Sequence, residues 1–210
     1  GADTLNKNDS ASFGYTFRIE TTQKMVYYAD GGPTLTSTSS ILTNQWYHVA
    51  ACYDGTTTRL FINGNLEANS TTASSLINDT GLLYVGARQY NLAVPFYGYI
   101  SDARITKRAL YTSSFTPPTA PLTSVANTVL LLSGTNAGIF DQTDKINLVT
   151  YGNTAVTSSL AKLGSGSMYF DGSSYMTAPA SAINLLPGDF TVEAWVNITT
   201  SGSNGPIIVI

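Results

Sequence analysis

The chain has 210 residues, 43% of them hydrophobic and 11% aromatic, enough apolar material for one large packed core. Only 11% are charged, the net charge is −3 and no basic cluster occurs, which removes the electrostatic basis of nucleic-acid binding. A single cysteine, Cys52, excludes an intrachain disulfide, and no apolar run approaches the ~20 residues that a membrane-spanning helix needs. No leader-like run opens the chain, as expected of a mature form or a fragment. The polar surface must come from Ser, Thr, Asn and Gly, a composition that suits an extracellular or virion-surface protein.

Taken in order, the elements are almost all strands. Tyr15–Ile19 and Lys24–Tyr28 read as a pair. Trp46–Tyr53, an Asp54-Gly55 turn and Thr58–Ile62 form a hairpin. Asn63-Gly64, two residues that tolerate positive φ, then turns the chain into Asn65–Ala68. Leu82–Gly86 is short and apolar, Tyr97–Ile105 alternates, Thr106–Tyr111 reads as a turn after that strand, and a weak helical signal sits at Ser181–Leu186. Phe115–Ser124 holds Pro117, Pro118 and Pro121 and reads as an extended linker. Thr128–Leu132, Ser167–Phe170, Tyr175–Ala178, the long alternating run Phe190–Ile198 and apolar Pro206–Ile210 complete the series. Strands at intervals of about 8–12 residues between turn residues predict an all-β, two-sheet antiparallel jelly-roll sandwich.

Three blocks add a family resemblance. Asn44-Gln45-Trp46-Tyr47-His48-Val49-Ala50 with Leu60-Phe61-Ile62-Asn63-Gly64 resembles the W-x-H-V-A … L-F-V-N-G hairpin of laminin-G-like domains. Tyr84-Val85-Gly86-Ala87 and Gly98–Lys107, continuing to Pro118, resemble that family's closing strand and tail, in the version found in bacteriophage fibre and surface proteins. Leu163–Gly172 with Gly188–Val196 resembles the opening half. The likeness implies a concanavalin A-like lectin/glucanase fold.

The order of these blocks is inverted relative to the family. Residues 1–124 resemble a C-terminal half and residues 125–210 an N-terminal half of one domain spanning 1–210. Three explanations are open: a circular permutation, a window cut from a tandem array, or completion of each sandwich by a neighbouring copy. In each, the apolar run ending at Ile210 is expected to pair with Tyr15–Ile19, in cis or in trans.

A retaining glycosidase needs two carboxylates about 5–5.5 Å apart, yet none of Glu20, Glu67 and Glu193 has an acid two residues away, and Asp189, before Glu193, is the one acid four away. Glu193 is expected to be a hydrogen-bonded sheet residue. His48, the sole histidine, excludes a multi-histidine metal cluster and is expected to be satisfied and partly buried on a face with Trp46, Ala50 and Cys52. Cys52 reads as a buried inert thiol. The expectation is a non-enzymatic module for adhesion or carbohydrate binding. A structural subunit of a fibre, filament or capsid decoration is the alternative, and a glycoside hydrolase a weaker one.

Expected partners are glycans or cell-surface polysaccharide and copies of the chain or tandem sister domains, with no nucleic acid and no membrane insertion. Sugar-stacking aromatics with nearby polar groups are sought at Tyr27, Tyr28 and Asp30, at Gln89-Tyr90-Asn91-Leu92, and at Tyr151 with Asn153. The resemblance also implies calcium, held by an Asp of the closing strand and by the Phe-Asp-Gly turn. Here that strand reads Gly98-Tyr99-Ile100-Ser101-Asp102, leaving Asp102 and Asp171 as candidate ligands, with Asp141 and Asp144 in a separate loop.

Overall fold

The computed structural model describes residues 14–72, 82–87, 95–135, 138–143, 145–179, 183, 185, 188–200 and 205–209. They form sixteen strands: β1 Tyr15–Ile19, β2 Lys24–Ala29, β3 Thr34–Ser40, β4 Tyr47–Tyr53, β5 Thr58–Ile62, β6 Asn65–Ser70, β7 Leu82–Val85 and β8 Tyr97–Thr106, followed by β9 Thr128–Thr135, β10 Gly138–Asp141, β11 Val149–Tyr151, β12 Ala155–Thr157, β13 Ser167–Asp171, β14 Tyr175–Pro179, β15 Phe190–Ile198 and β16 Gly205–Val209. The first sheet runs β11-β14-β7-β16-β1-β2-β3 and the second β10-β9-β8-β15-β4-β5-β6, with β13 joined to β8 and β12. All pairings are antiparallel. This is the expected all-β two-sheet sandwich.

Alternation places the core between the sheets. Phe17, Ile19, Met25 and Tyr27 face inward from the first sheet, and Val49, Ala51, Leu60, Val192 and Val196 from the second. Phe190 stands among Tyr15, Tyr27 and Tyr53, with ring centroids 5.9–6.4 Å away. The Asn63-Gly64 turn has both φ angles positive, 49° and 76°, as its type I′ reading requires.

Strands of the two chain halves interleave. β15 lies between β8 and β4, and β16 between β7 and β1. Thr16 pairs with Val209 and Phe17 with Ile208, so the expected pairing of the terminal apolar run with Tyr15–Ile19 is present within one chain.

One reading needs correction. Residues 115–124 are not a linker but part of a strap packed over the outer face of the second sheet. Phe115 stacks on Tyr111 at 3.6 Å, its N–H donates to the Gly64 carbonyl, and both rings cover Phe61. Prolines suit such a strap because it forms no ladder and few of its N–H groups need partners. At Thr106–Tyr111, read as a turn after the strand, Thr106 ends β8 and the chain bends at Lys107 and Arg108 into the strap. Most of 181–186 lies outside the described residues. Edge strands β3, β10, β11 and β12 went unrecognised, because Thr-Leu-Thr-Ser-Thr-Ser-Ser and its like carry too few apolar residues to mark a buried face.

Candidate functional site

Beneath the strap lies a buried charge cluster. Glu193 Oε1 accepts from Arg104 Nε (2.9 Å) and Nη2 (2.5 Å), and Oε2 accepts from Tyr111 Oη (2.8 Å) and lies 3.0 Å from His48 Nε2. Arg104 Nη1 donates to the Thr123 carbonyl, tying the far end of the strap. Burial opposes ionisation of Glu193, but His48 and Arg104 outweigh it and hold the carboxyl below its usual range. His48 is fully buried rather than partly so, and only half satisfied: Nδ1 has no partner. Cys52 is buried beside Thr191 Oγ1 at 3.1 Å, and burial raises its thiol pKa, so the thiolate is suppressed.

The remaining glutamates are similarly engaged. Glu20 pairs with Arg18 at 2.8 Å. Glu67 accepts from Thr38 Oγ1 and the Ser39 N–H, lacing edge strand β6 to edge strand β3. Among the described residues, their hydrogen bonds and ion pairs set none of them against a second carboxylate.

The calcium candidates do not converge. Asp171 pairs with Tyr97 at one end of β8, and Asp102 lies five residues farther along the strand, roughly 16–17 Å away at ~3.3 Å per residue. Asp171 Oδ1 already accepts from the Ser173 N–H and hydroxyl and Oδ2 from the Asn153 amide, and these bonds hold it well below the usual carboxylate range. Asp141 is used up in the same way, by the N–H groups of Leu131, Thr143, Lys145 and Ile146 and the Thr143 hydroxyl. Asp144 lies outside the described residues. Among the described residues no cluster of three or more His, Cys, Asp or Glu side chains is placed to hold a metal. The donor set therefore does not fit one calcium ion shared by Asp102 and Asp171.

Asp102 is instead a buried, nearly isolated acid. It sits at a bulge in β8 with φ +48°, and Oδ2 accepts only the Leu122 N–H. Burial pushes its carboxyl up to about 6, against the pull of that bond. With the folded value above the ordinary 3.8, the stability tied to neutral Asp102 is complete below 3.8 and is lost as pH rises through about 6. Asp102→Asn keeps the acceptor and tolerates positive φ. It is expected to stabilise the fold by about 2 kcal/mol at pH 7.5, with most of that gain gone by pH 4, as read by urea unfolding at both pH values.

The sugar-binding candidates separate into three fates. Tyr27 is a core residue with no exposure and its hydroxyl has no partner, so it is not a binding residue: its position on β2 turns it inward. Tyr28 and Asp30 lie together on β2 and the turn after it, Oη to Oδ1 at 3.5 Å, apart from the other candidates. Tyr90 and Asn91, with the rest of 89–92, lie outside the described residues. Tyr151, Asn153 and Asp171 do meet. The β11–β12 turn and the β13–β14 turn are zipped by Asn153–Asp171 at 3.0 Å and by Thr154 Oγ1 donating to the Tyr175 carbonyl at 3.2 Å.

Tyrosines surround this rim. On the outer face of the first sheet Tyr151 stacks on Tyr175 at 4.6 Å, and Tyr84 lies 5.9 Å beyond. On the outer face of the second sheet Tyr169 packs against Tyr99 at 5.1 Å. Tyr97 lies over Gly172, where an added Cβ would fall 1.9 Å from ring atom Cε1. Tyr84, Tyr97, Tyr99, Tyr169 and Tyr175 were passed over as candidates although their strands were recognised. The available signal was alternation: Tyr97 and Tyr99 flank Gly98 and precede core residue Ile100, while Tyr169 sits between core residues Met168 and Phe170.

A family model described as the concanavalin A-like lectin/glucanases superfamily, of laminin G type, matches residues 2–114, more than half of the chain. No curated protein and no solved structure matches it. With its paired antiparallel sheets and the Trp46–Gly64 hairpin block inside the matched span, the chain belongs to the laminin-G-like branch of the concanavalin A-like lectin/glucanase superfamily.

Proposed function

We infer that this sandwich is a non-enzymatic module that binds carbohydrate, acting in adhesion outside the cell or on a virion surface. Family membership supports the ligand class. The observation that carries the reading is the tyrosine-lined rim around the Asn153–Asp171 bond. Partly exposed aromatic rings offer apolar faces to the C–H faces of sugars, while amide and carboxylate groups meet hydroxyls. Hydrolysis is disfavoured because every glutamate is committed to structural bonding. The test is a glycan and polysaccharide panel on the intact chain, with reducing ends assayed after long incubation. Binding without new reducing ends is the expected result, whereas cleavage or the absence of any binding refutes the reading.

A second reading is favoured by one observation: Val209, near the end of the chain, lies opposite Thr16, near its beginning. Such neighbouring ends suit a permuted unit, a repeat in a tandem fibre, or a subunit that donates β16 to the next copy, as in a phage fibre or capsid decoration. Light scattering separates the last from the others. A monomeric mass at all concentrations removes strand donation, and a concentration-dependent ladder supports it.

A further inference from the structure

We propose that the outer face of the second sheet, at Tyr97, Tyr99 and Tyr169, is a stacking platform for a neutral, equatorially substituted pyranoside chain longer than one sugar. The assignment rests on the carbohydrate-binding reading and names its site and ligand class.

The strands dictate the platform. Ile100, Met168 and Phe170 face the core, so the alternate residues Tyr99 and Tyr169 must face out, and cross-strand pairing sets them side by side. Tyr97 extends the row by about 7 Å along β8, two residues at ~3.3 Å each. Its ring packs against Gly172, where an added Cβ would fall 1.9 Å from ring atom Cε1. All three rings are half-buried, and their hydroxyls make no hydrogen bond among the described residues. The tyrosines on the opposite sheet differ: Tyr175 lies between Tyr84 and Tyr151, so its ring is already flanked by neighbouring rings.

The chemistry of the ligand follows. A cluster of partly exposed rings, with Tyr99 and Tyr169 inclined 39° to each other, accepts a sugar whose C–H face is unobstructed, which equatorial substitution provides and axial hydroxyls spoil. Two ring positions along β8 and one across on β13 offer more surface than a single pyranose covers. The Asp171 carboxylate closes one end of the row, opposite Tyr97, with only the Asn153 amide on Oδ2. No Lys or Arg forms a salt bridge with it among the described residues. That margin accepts hydroxyl donors and repels uronates and other acidic sugars.

The test is calorimetric titration of the intact chain with cellohexaose, cellobiose and hexagalacturonate. Cellohexaose is expected to bind at least tenfold tighter than either of the others. Tyr97→Ala/Tyr99→Ala should lose at least tenfold for cellohexaose, and Tyr97→Phe/Tyr99→Phe should keep most of the affinity. Asp171→Asn should raise hexagalacturonate binding severalfold while lowering cellohexaose binding by less than the alanine pair does, which keeps the proposal testable if the alanine pair does not fold. If a folded alanine pair binds as the parent does, or hexagalacturonate binds as well as cellohexaose, the platform is overturned while carbohydrate binding stands. If the intact chain binds no panel glycan at all, both fall.

Discussion

Glu193→Ala is expected to destabilise the protein by about 3–5 kcal/mol, the usual cost of removing one partner from a buried ionic cluster. Arg104 and His48 would be left buried without their shared acceptor, and Tyr111 would lose the hydrogen bond of its hydroxyl to β15. Against a typical domain stability of about 5–15 kcal/mol, such a loss decides whether the chain folds. Glu193→Gln retains the shape and one acceptor and should cost less, about 2 kcal/mol. Urea unfolding measures both, and limited proteolysis within 107–124 reports whether the strap has lifted. A Glu193→Ala protein with parental stability and an intact strap would show that packing by Phe115 and Tyr111 alone holds the strap down. The pH dependence has the opposite sign to that of Asp102. Glu193 has a lowered folded pKa, so its contribution is full above its ordinary value of 4.5 and disappears as pH falls through the lower folded value.

The second large effect is expected at Gly98→Ala. Gly98 has φ +145°, and a Cβ there would lie 2.1 Å from the Asn197 carbonyl oxygen and 2.9 Å from the Ile198 Cα. Both obstacles are backbone of the neighbouring strand β15, so no rotamer change relieves them. Either β8 and β15 separate or the residue refolds locally, at an expected cost of about 3 kcal/mol or more. Gly188→Ala is the matched control: nothing lies within 4 Å of its added Cβ, and a change within about 0.5 kcal/mol is expected. Chemical denaturation compares the two. Because Gly98 separates Tyr97 from Tyr99, a folded Gly98→Ala protein should also have a misaligned platform.

Much of the fold was legible in the chain itself. Phe190–Ile198 alternates so regularly that its bounds match β15, and Asn63-Gly64 announced its turn, because both signals depend on residues close in sequence. The three-residue strands β11 and β12 were not legible. Their residues are exposed or half-exposed, and only pairing with β14 and β13 makes them strands. The candidate site was read in part for the same reason. Tyr151 with Asn153 read as a sugar-binding pair and Asp171 as a calcium candidate, but that they share one rim depends on two loops meeting across the sandwich edge.

By itself the sequence determined the class of structure, the antiparallel partner of the last apolar run and the want of a paired-acid hydrolytic motif. Each follows from local alternation, turn chemistry or the scarcity of a residue type. Only the tertiary structure decided which tyrosines face solvent, that Asp102 and Asp171 stand too far apart to share an ion, and that the proline-rich segment is a strap locked to Glu193. Those outcomes hinge on register and on contacts between residues as far apart in sequence as His48 and Glu193, which no local pattern encodes.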